Sequence, residues 1–259
     1  MLPREELLKR VENREEIAKI IDKAEKAIKT WELVVTDFLS PPVLAEVNQI
    51  FSSLTEVKVI PWGGYPQAER QRVGIHREEV YGDETQIPLV ALDIAGNFLF
   101  DTATHRDFLG SILGTGIVRE KVGDIIVLGE RGAQVIVVAE IADFLEINLV
   151  QVRSVPVKTS RIELTELKIR PPKIKEMTTV EASLRLDAVA SFGFGLSRGK
   201  MAEAISNGDV RVNWKDITQP SYNIKQNDLV SFRGKGRLEI GNIEVTKKER
   251  YRINLTRFV

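Results

Sequence analysis

The stretch SRGKMAEAISNGDVRVNW, residues 197–214, decides how the C-terminal third folds. Ser197 suits a helix N-cap, because its hydroxyl can accept a free backbone N–H from the next turn. Met201, Ala204 and Ile205 give that helix a buried stripe, and Gly208 supplies the left-handed residue that ends it. A short strand follows around Val210–Val212. Arg198 and Lys200 fall in the first helical turn, where the macrodipole is already positive and a cation is disfavoured by roughly 0.3–1 kcal/mol. A bound anion reverses that sign. Free N–H groups, dipole and both cations then act together, and a phosphate of RNA is the expected anion.

Working outward, Leu184, Leu186, Val189 and Ala190 give a preceding helix its apolar face, with Arg185 and Asp187 beside it. Downstream come Arg211, Lys215 and the basic loop Arg233-Gly-Lys235-Gly-Arg237, whose glycines permit close approach to a backbone. The charge of the chain balances at 37 basic and 37 acidic residues, but not locally. From Lys168 onward there are 18 Lys/Arg against 10 Asp/Glu, and before it 19 against 27. A basic C-terminal part beside an acidic remainder points to a polyanion partner for the basic part.

The first 55 residues read as helical. Ile17, Ile20, Ile21, Ala24, Ile28 and Trp31 recur at helical spacing, and Ser40-Pro41-Pro42 opens a second helix whose stripe is Val43, Val47, Ile50, Phe51 and Leu54. From residue 56 the runs VKVIPW, RQRVGIHRE, PLVALDI, DIIVLG, QVIVVAE and LVQVRSV read as strands. THRDFLGSILGTG and EIADFLEIN lie between them as helices. From Pro88 the order is β-α-β-β-α-β, the arrangement of ferredoxin-like and RNA-recognition folds, with the two earlier runs expected at one edge of that sheet. Leu89–Ile94 and Gln134–Glu140 carry no aromatic, so base stacking on the central strands is not expected.

Several classes of chemistry find no support. There is no Cys, and only two His, so neither thiolate chemistry nor a His-rich metal site is expected. No apolar run approaches the roughly 20 residues of a membrane helix, and the alternating charges of MLPREELLKR fit no targeting peptide. Gly110, Gly114 and Gly116 lie within and after a helix, where helix termination explains them better than a nucleotide loop. His105-Arg106-Asp107 reads as a capped helix start after Thr104, with a phosphate contact by Arg106 the lesser alternative.

Residues 183–237 resemble the S4 RNA-binding domain, through Ser183-Leu-Arg-Leu-Asp187, Leu196-Ser-Arg198, Gly208-Asp-Val-Arg-Val-Asn213, Pro220-Ser-Tyr222, Asn227-Asp228 and Arg233-Gly234. Many S4 domains have Gly after the Val-Asn pair, where this chain has Trp214-Lys215. Tyr65-Pro-Gln-Ala-Glu-Arg70, His105-Arg-Asp-Phe-Leu-Gly110, Gly116-Ile-Val-Arg-Glu-Lys-Val-Gly-Asp124 and Thr179-Val-Glu-Ala-Ser-Leu-Arg-Leu-Asp187 extend the resemblance to the YlmH-type S4 proteins, including the photosystem II S4-domain branch of oxygenic phototrophs. The resemblance implies RNA binding without catalysis, on the large ribosomal subunit and peptidyl-tRNA. It also implies a phosphate-binding face of Arg185, Ser197, Arg198 and Lys200, extended by Arg211, Asn213 and Lys215.

The expected architecture is α+β: a helical N-terminal module (1–55), an RRM-like βαββαβ domain (56–165), a linker (166–182) and an S4 (αL-type) domain (183–259). Its expected partners are structured RNA, ribosomal or transfer, on the large ribosomal subunit, with a protein partner for the helical module. No cofactor, metal or membrane insertion is expected, and the expected location is cytoplasmic. The rival reading is an S4-containing RNA-modifying enzyme of the pseudouridine synthase or methyltransferase type.

Overall fold

Isoleucines at helical spacing build the first layer of the chain. Helix α1 (Arg4–Leu8) leads into α2 (Arg14–Thr30), which buries Ile17, Ile20, Ile21, Ala24 and Ala27. Trp31, expected in that stripe, instead closes the helix as a left-handed residue (φ 58°) and is 55% exposed. Strand β1 (Val34–Val35) precedes α3 (Pro41–Phe51), whose first turn tolerates Pro41 and Pro42 because its N–H groups have no helical acceptor. Strands β2 (Val57–Trp62) and β3 (Arg72–Arg77) follow.

These strands correct the expected edge position. They form a separate antiparallel sheet in the order β1-β3-β2 and do not join the next sheet. The reason is their apolar face: Val57, Val73 and Ile75 complete the core under α2 and α3. The N-terminal module is therefore itself α+β, and two of its three strands, β2 and β3, lie beyond residue 55.

The next sheet comprises β4 (Leu89–Ala95), then α4 (His105–Gly114), β5 (Val122–Val127), β6 (Gly132–Val138), α5 (Ala142–Asn148), and, after the small hairpin β7 (Gln151–Val152)–β8 (Val155–Pro156), β9 (Lys158–Ile162). Its order β5-β6-β4-β9, all antiparallel, is the ferredoxin-like arrangement. The run LVQVRSV is not its fourth strand. A left-handed Arg153 (φ 55°) folds that run into the β7–β8 hairpin, and β9 takes the edge.

One face of this sheet (Leu92, Ile94, Val135, Val137) packs on Phe108, Ile112 and Leu145 from the two helices. On the other, Ile136 and Val138 pack on Phe38 from the N-terminal module, with Tyr65, Leu89 and Leu167 alongside. Gln134 adds a polar latch, donating from Nε2 to the Glu166 carbonyl (3.4 Å) and accepting from the Lys168 N–H at Oε1 (2.7 Å). Every residue of β6 is buried. On the face that RNA-recognition motifs use for stacking, the central strand β6 is thus covered by the chain itself, while the Asp93–Ala95 end of β4 borders an open pocket.

The computed structural model describes residues 2–171 and 173–258. It divides into two units, Met1–Ile169, described above, and Arg170–Val259. In the second, β10 (Ile174–Glu181) is followed by α6 (Leu186–Phe194), α7 (Arg198–Ser206), β11 (Val210–Val212), β12 (Lys215–Asp216), β13 (Leu229–Phe232), β14 (Gly236–Val245) and β15 (Tyr251–Phe258). The sheet order is β10-β15-β14-β13-β11-β12. Leu186, Val189, Met201 and Ile205 seat both helices on Val210, Val230, Leu238, Ile253 and Leu255. Part of the expected linker is therefore structured. Residues 174–181 pair with β15 along their whole length, and as a mostly exposed edge strand their polar composition gives no buried-strand signal.

Candidate nucleic-acid interface

The interface begins at the start of α7. Ser197 caps it as expected, its Oγ accepting from the Lys200 N–H (3.4 Å), and Gly208 (φ 77°) follows its end. The sequence offered the first-turn cations no internal anion; the structure supplies one. Asp187, whose side chain is 5% exposed, accepts from Arg185 through both oxygens (Nε 3.1 Å, Nη2 2.8 Å) and from Arg198 Nη2 at Oδ1 (3.2 Å). Burial opposes its charge, but the hydrogen bonds from Arg185 and Arg198 outweigh it and hold the carboxyl below the usual carboxylate range. The same contact raises the Arg185 guanidinium further. One carboxylate thus orients two guanidiniums and neutralises half their charge. Lys200 stands exposed beside them with no ion pair among the described residues.

Strand register assembles the next part. Arg211 lies opposite Ser231, and Ser231 opposite Arg237, so two cations far apart in sequence share one sheet face. Arg211 also binds Asp216 (2.7 Å), and Arg237 lies over the Phe258 ring (5.9 Å). Asn213 has both ends of its amide committed, Nδ2 to Asp228 (2.8 Å) and Oδ1 to the Leu229 N–H (2.9 Å). Its role is to fix the β11–β12 turn that carries Trp214 and Lys215.

The same register separates what the sequence listed together. Val210 pairs with Phe232 and Val212 with Val230. The Asn213–Lys215 turn and the Arg233–Lys235 turn therefore lie at opposite ends of the β11–β13 pair. Arg233 reaches Asp209 (3.6 Å), and Lys235 is exposed. A further group was missed: Lys247, Lys248, Arg250 and Arg252 line a groove with Val180 at the β14–β15 turn. Its signal, KKERYR between two strands, was present in the sequence.

In the first unit His105-Arg106-Asp107 is the helix start the sequence suggested. Asp107 accepts from the Thr104 N–H (2.8 Å) and hydroxyl (2.7 Å), and Gly116 (φ 94°) follows the end of the helix. The motif segments Tyr65–Arg70 and Gly116–Asp124 meet at Asp124, which accepts from Tyr65 Oη (2.8 Å) and from the Glu69 and Arg70 N–H groups (2.7 and 3.1 Å). Beside it Arg70 donates to the Phe38 and Val122 carbonyls (3.0 and 3.1 Å). Burial, and then the charge of Arg70, lower Arg119 to about 10. These groups clamp the N-terminal module to the ferredoxin-like sheet.

Two helices on an antiparallel sheet, with cations gathered at the second helix start, define an S4-domain RNA-binding protein, and the "S4 domain" family model matches residues 184–230. "YlmH, N-terminal" matches residues 12–80, which include β2 and β3, and "Putative RNA-binding domain in YlmH" matches 73–166. "Ribosome-associated protein quality control protein P2" of Bacillus subtilis (strain 168) is 35% identical over 231 residues, covering 88% of each chain. Among solved structures, "Cell division protein ylmH from Streptococcus pneumoniae" shares the fold, with a TM-score of 0.53 and 21% identity over 61% of this chain and 94% of that one. The chain belongs to the YlmH family.

Proposed function

We propose that this protein binds structured RNA, ribosomal or transfer, through its S4 domain on the large ribosomal subunit, and acts there without catalysing a reaction. One observation carries the reading: three cations surround the start of α7, and one carboxylate answers them. The excess positive charge sits where backbone N–H groups and the helix dipole also favour a phosphate. The ribosome-associated name of the Bacillus relative supports the same partner. The resemblance to the photosystem II branch would place this binding in photosystem II biogenesis. Docking of a protein on the N-terminal module is compatible with it.

Lys200→Ala is the cleanest test, because Lys200 holds no ion pair that the fold needs. Losing one phosphate contact should weaken binding to folded RNA about equally for all sequences and reduce the log–log salt slope by about one. An unchanged affinity and slope in the folded variant would remove the α7 start from the interface.

A further inference from the structure

Trp214 occupies a position that favours glycine. Val212 pairs with Lys215 across the two-residue turn Asn213–Trp214, and both turn residues are left-handed, φ 50° and 70°. Turns of this kind need positive φ at both central positions, which is why Asn-Gly dominates them. A bulky residue there is a conformational outlier, kept only where its surroundings enforce it. Asn213 supplies the enforcement through its bonds to Asp228 and Leu229.

Trp214 is partly exposed and is not among the side chains packed against the core. It has no aromatic or cation partner among the described residues. The contrast is Trp31, also left-handed, whose ring is covered by the Arg77 guanidinium at 3.9 Å. Trp214 is a half-buried aromatic held at the tip of the β11–β12 hairpin, flanked there by Arg211 and Lys215. Aromatics set among cations are how proteins hold unpaired bases while cations track the backbone.

We propose that Trp214 stacks on an unpaired nucleobase of the bound RNA, at the edge of the phosphate-binding surface. This rests on the RNA-binding reading above. The contact would be tolerant of base identity, since every base has a π-face, and largely insensitive to salt.

The test uses the full chain, its Trp214→Gly and Trp214→Phe variants, and two probes: bulk tRNA, which has unpaired loops, and a fully paired RNA duplex. Glycine suits the turn, so Trp214→Gly should melt no lower than wild type. It should bind tRNA about five- to a hundred-fold more weakly, the loss expected from one stacked base, with an unchanged salt slope and little change on the duplex. Trp214→Phe should retain most of the affinity. Equal tRNA binding by wild type and Trp214→Gly would overturn the proposal, as would an equal loss on both probes or a lowered melting temperature. Failure of the wild type to bind either probe would instead overturn the RNA-binding reading itself.

Discussion

Asp187 is the residue on which the start of α7 turns. From sequence it is one more acid beside an apolar stripe; folded, it is a buried carboxylate between two guanidiniums. Its carboxyl is depressed in the folded state, so it contributes stability above the unfolded value of about 3.9. That contribution is lost as pH falls through the folded value below it. Asp187→Asn should therefore lower the melting temperature at pH 7 by about 6–12 °C, the scale of a charged hydrogen bond worth about 1.5 kcal/mol in a unit of this size. The gap from wild type should close as the buffer is taken below pH 4. A gap that stays constant into acid would mean that ionisation of Asp187 is not what the fold uses.

At the scale of elements, the seating of α6 on β14 depends on the absence of a side chain. A Cβ at Gly193 would lie 2.2, 2.7 and 3.0 Å from three side-chain atoms of Leu238, which is itself fully buried. Alanine gains about 1 kcal/mol over glycine in a helix, whereas overpacking a core costs about 1–3 kcal/mol. Gly193→Ala should thus lose about 0–2 kcal/mol in urea unfolding; a gain would show that Leu238 yields freely. The helices were readable because each carries its own signals: Ser40 before α3, Ser197 before α7, Gly208 after it. Strand membership was not. Val57–Trp62 and Leu89–Ala95 look equally β-like, and only the side chains they meet send one to the helices of the N-terminal module and the other to the ferredoxin-like sheet.

For the whole molecule, charge is the property that bears on function. The acidic residues concentrate before Lys168 and the basic ones after it, so RNA should attract the second unit and repel much of the first. The protein should co-sediment with large ribosomal subunits at low salt and be released as salt rises, because binding that neutralises several phosphates weakens steeply with ionic strength. Sedimentation insensitive to salt would point to protein contacts instead. The closed face of β6 bears on the same question. β6 is out of reach of RNA, so placing single aromatics on β6 should create no stacking site.

The sequence by itself determined the main helices, the cap at Ser197, the β-α-β-β-α succession from Pro88 and the charge asymmetry, because caps, periodicity and net charge are local or additive; the fourth strand of that sheet it misplaced. It also carried the family, in short motifs whose residues are neighbours along the chain. Tertiary structure alone decided which cations act together. Arg185 and Arg198 meet only through Asp187, and Arg211 meets Arg237 only through strand register. It decided as well that the turn after Asn213 holds a tryptophan in a glycine's conformation. Such relations are set by which backbone pairs with which, and pairing is a property of the packed chain.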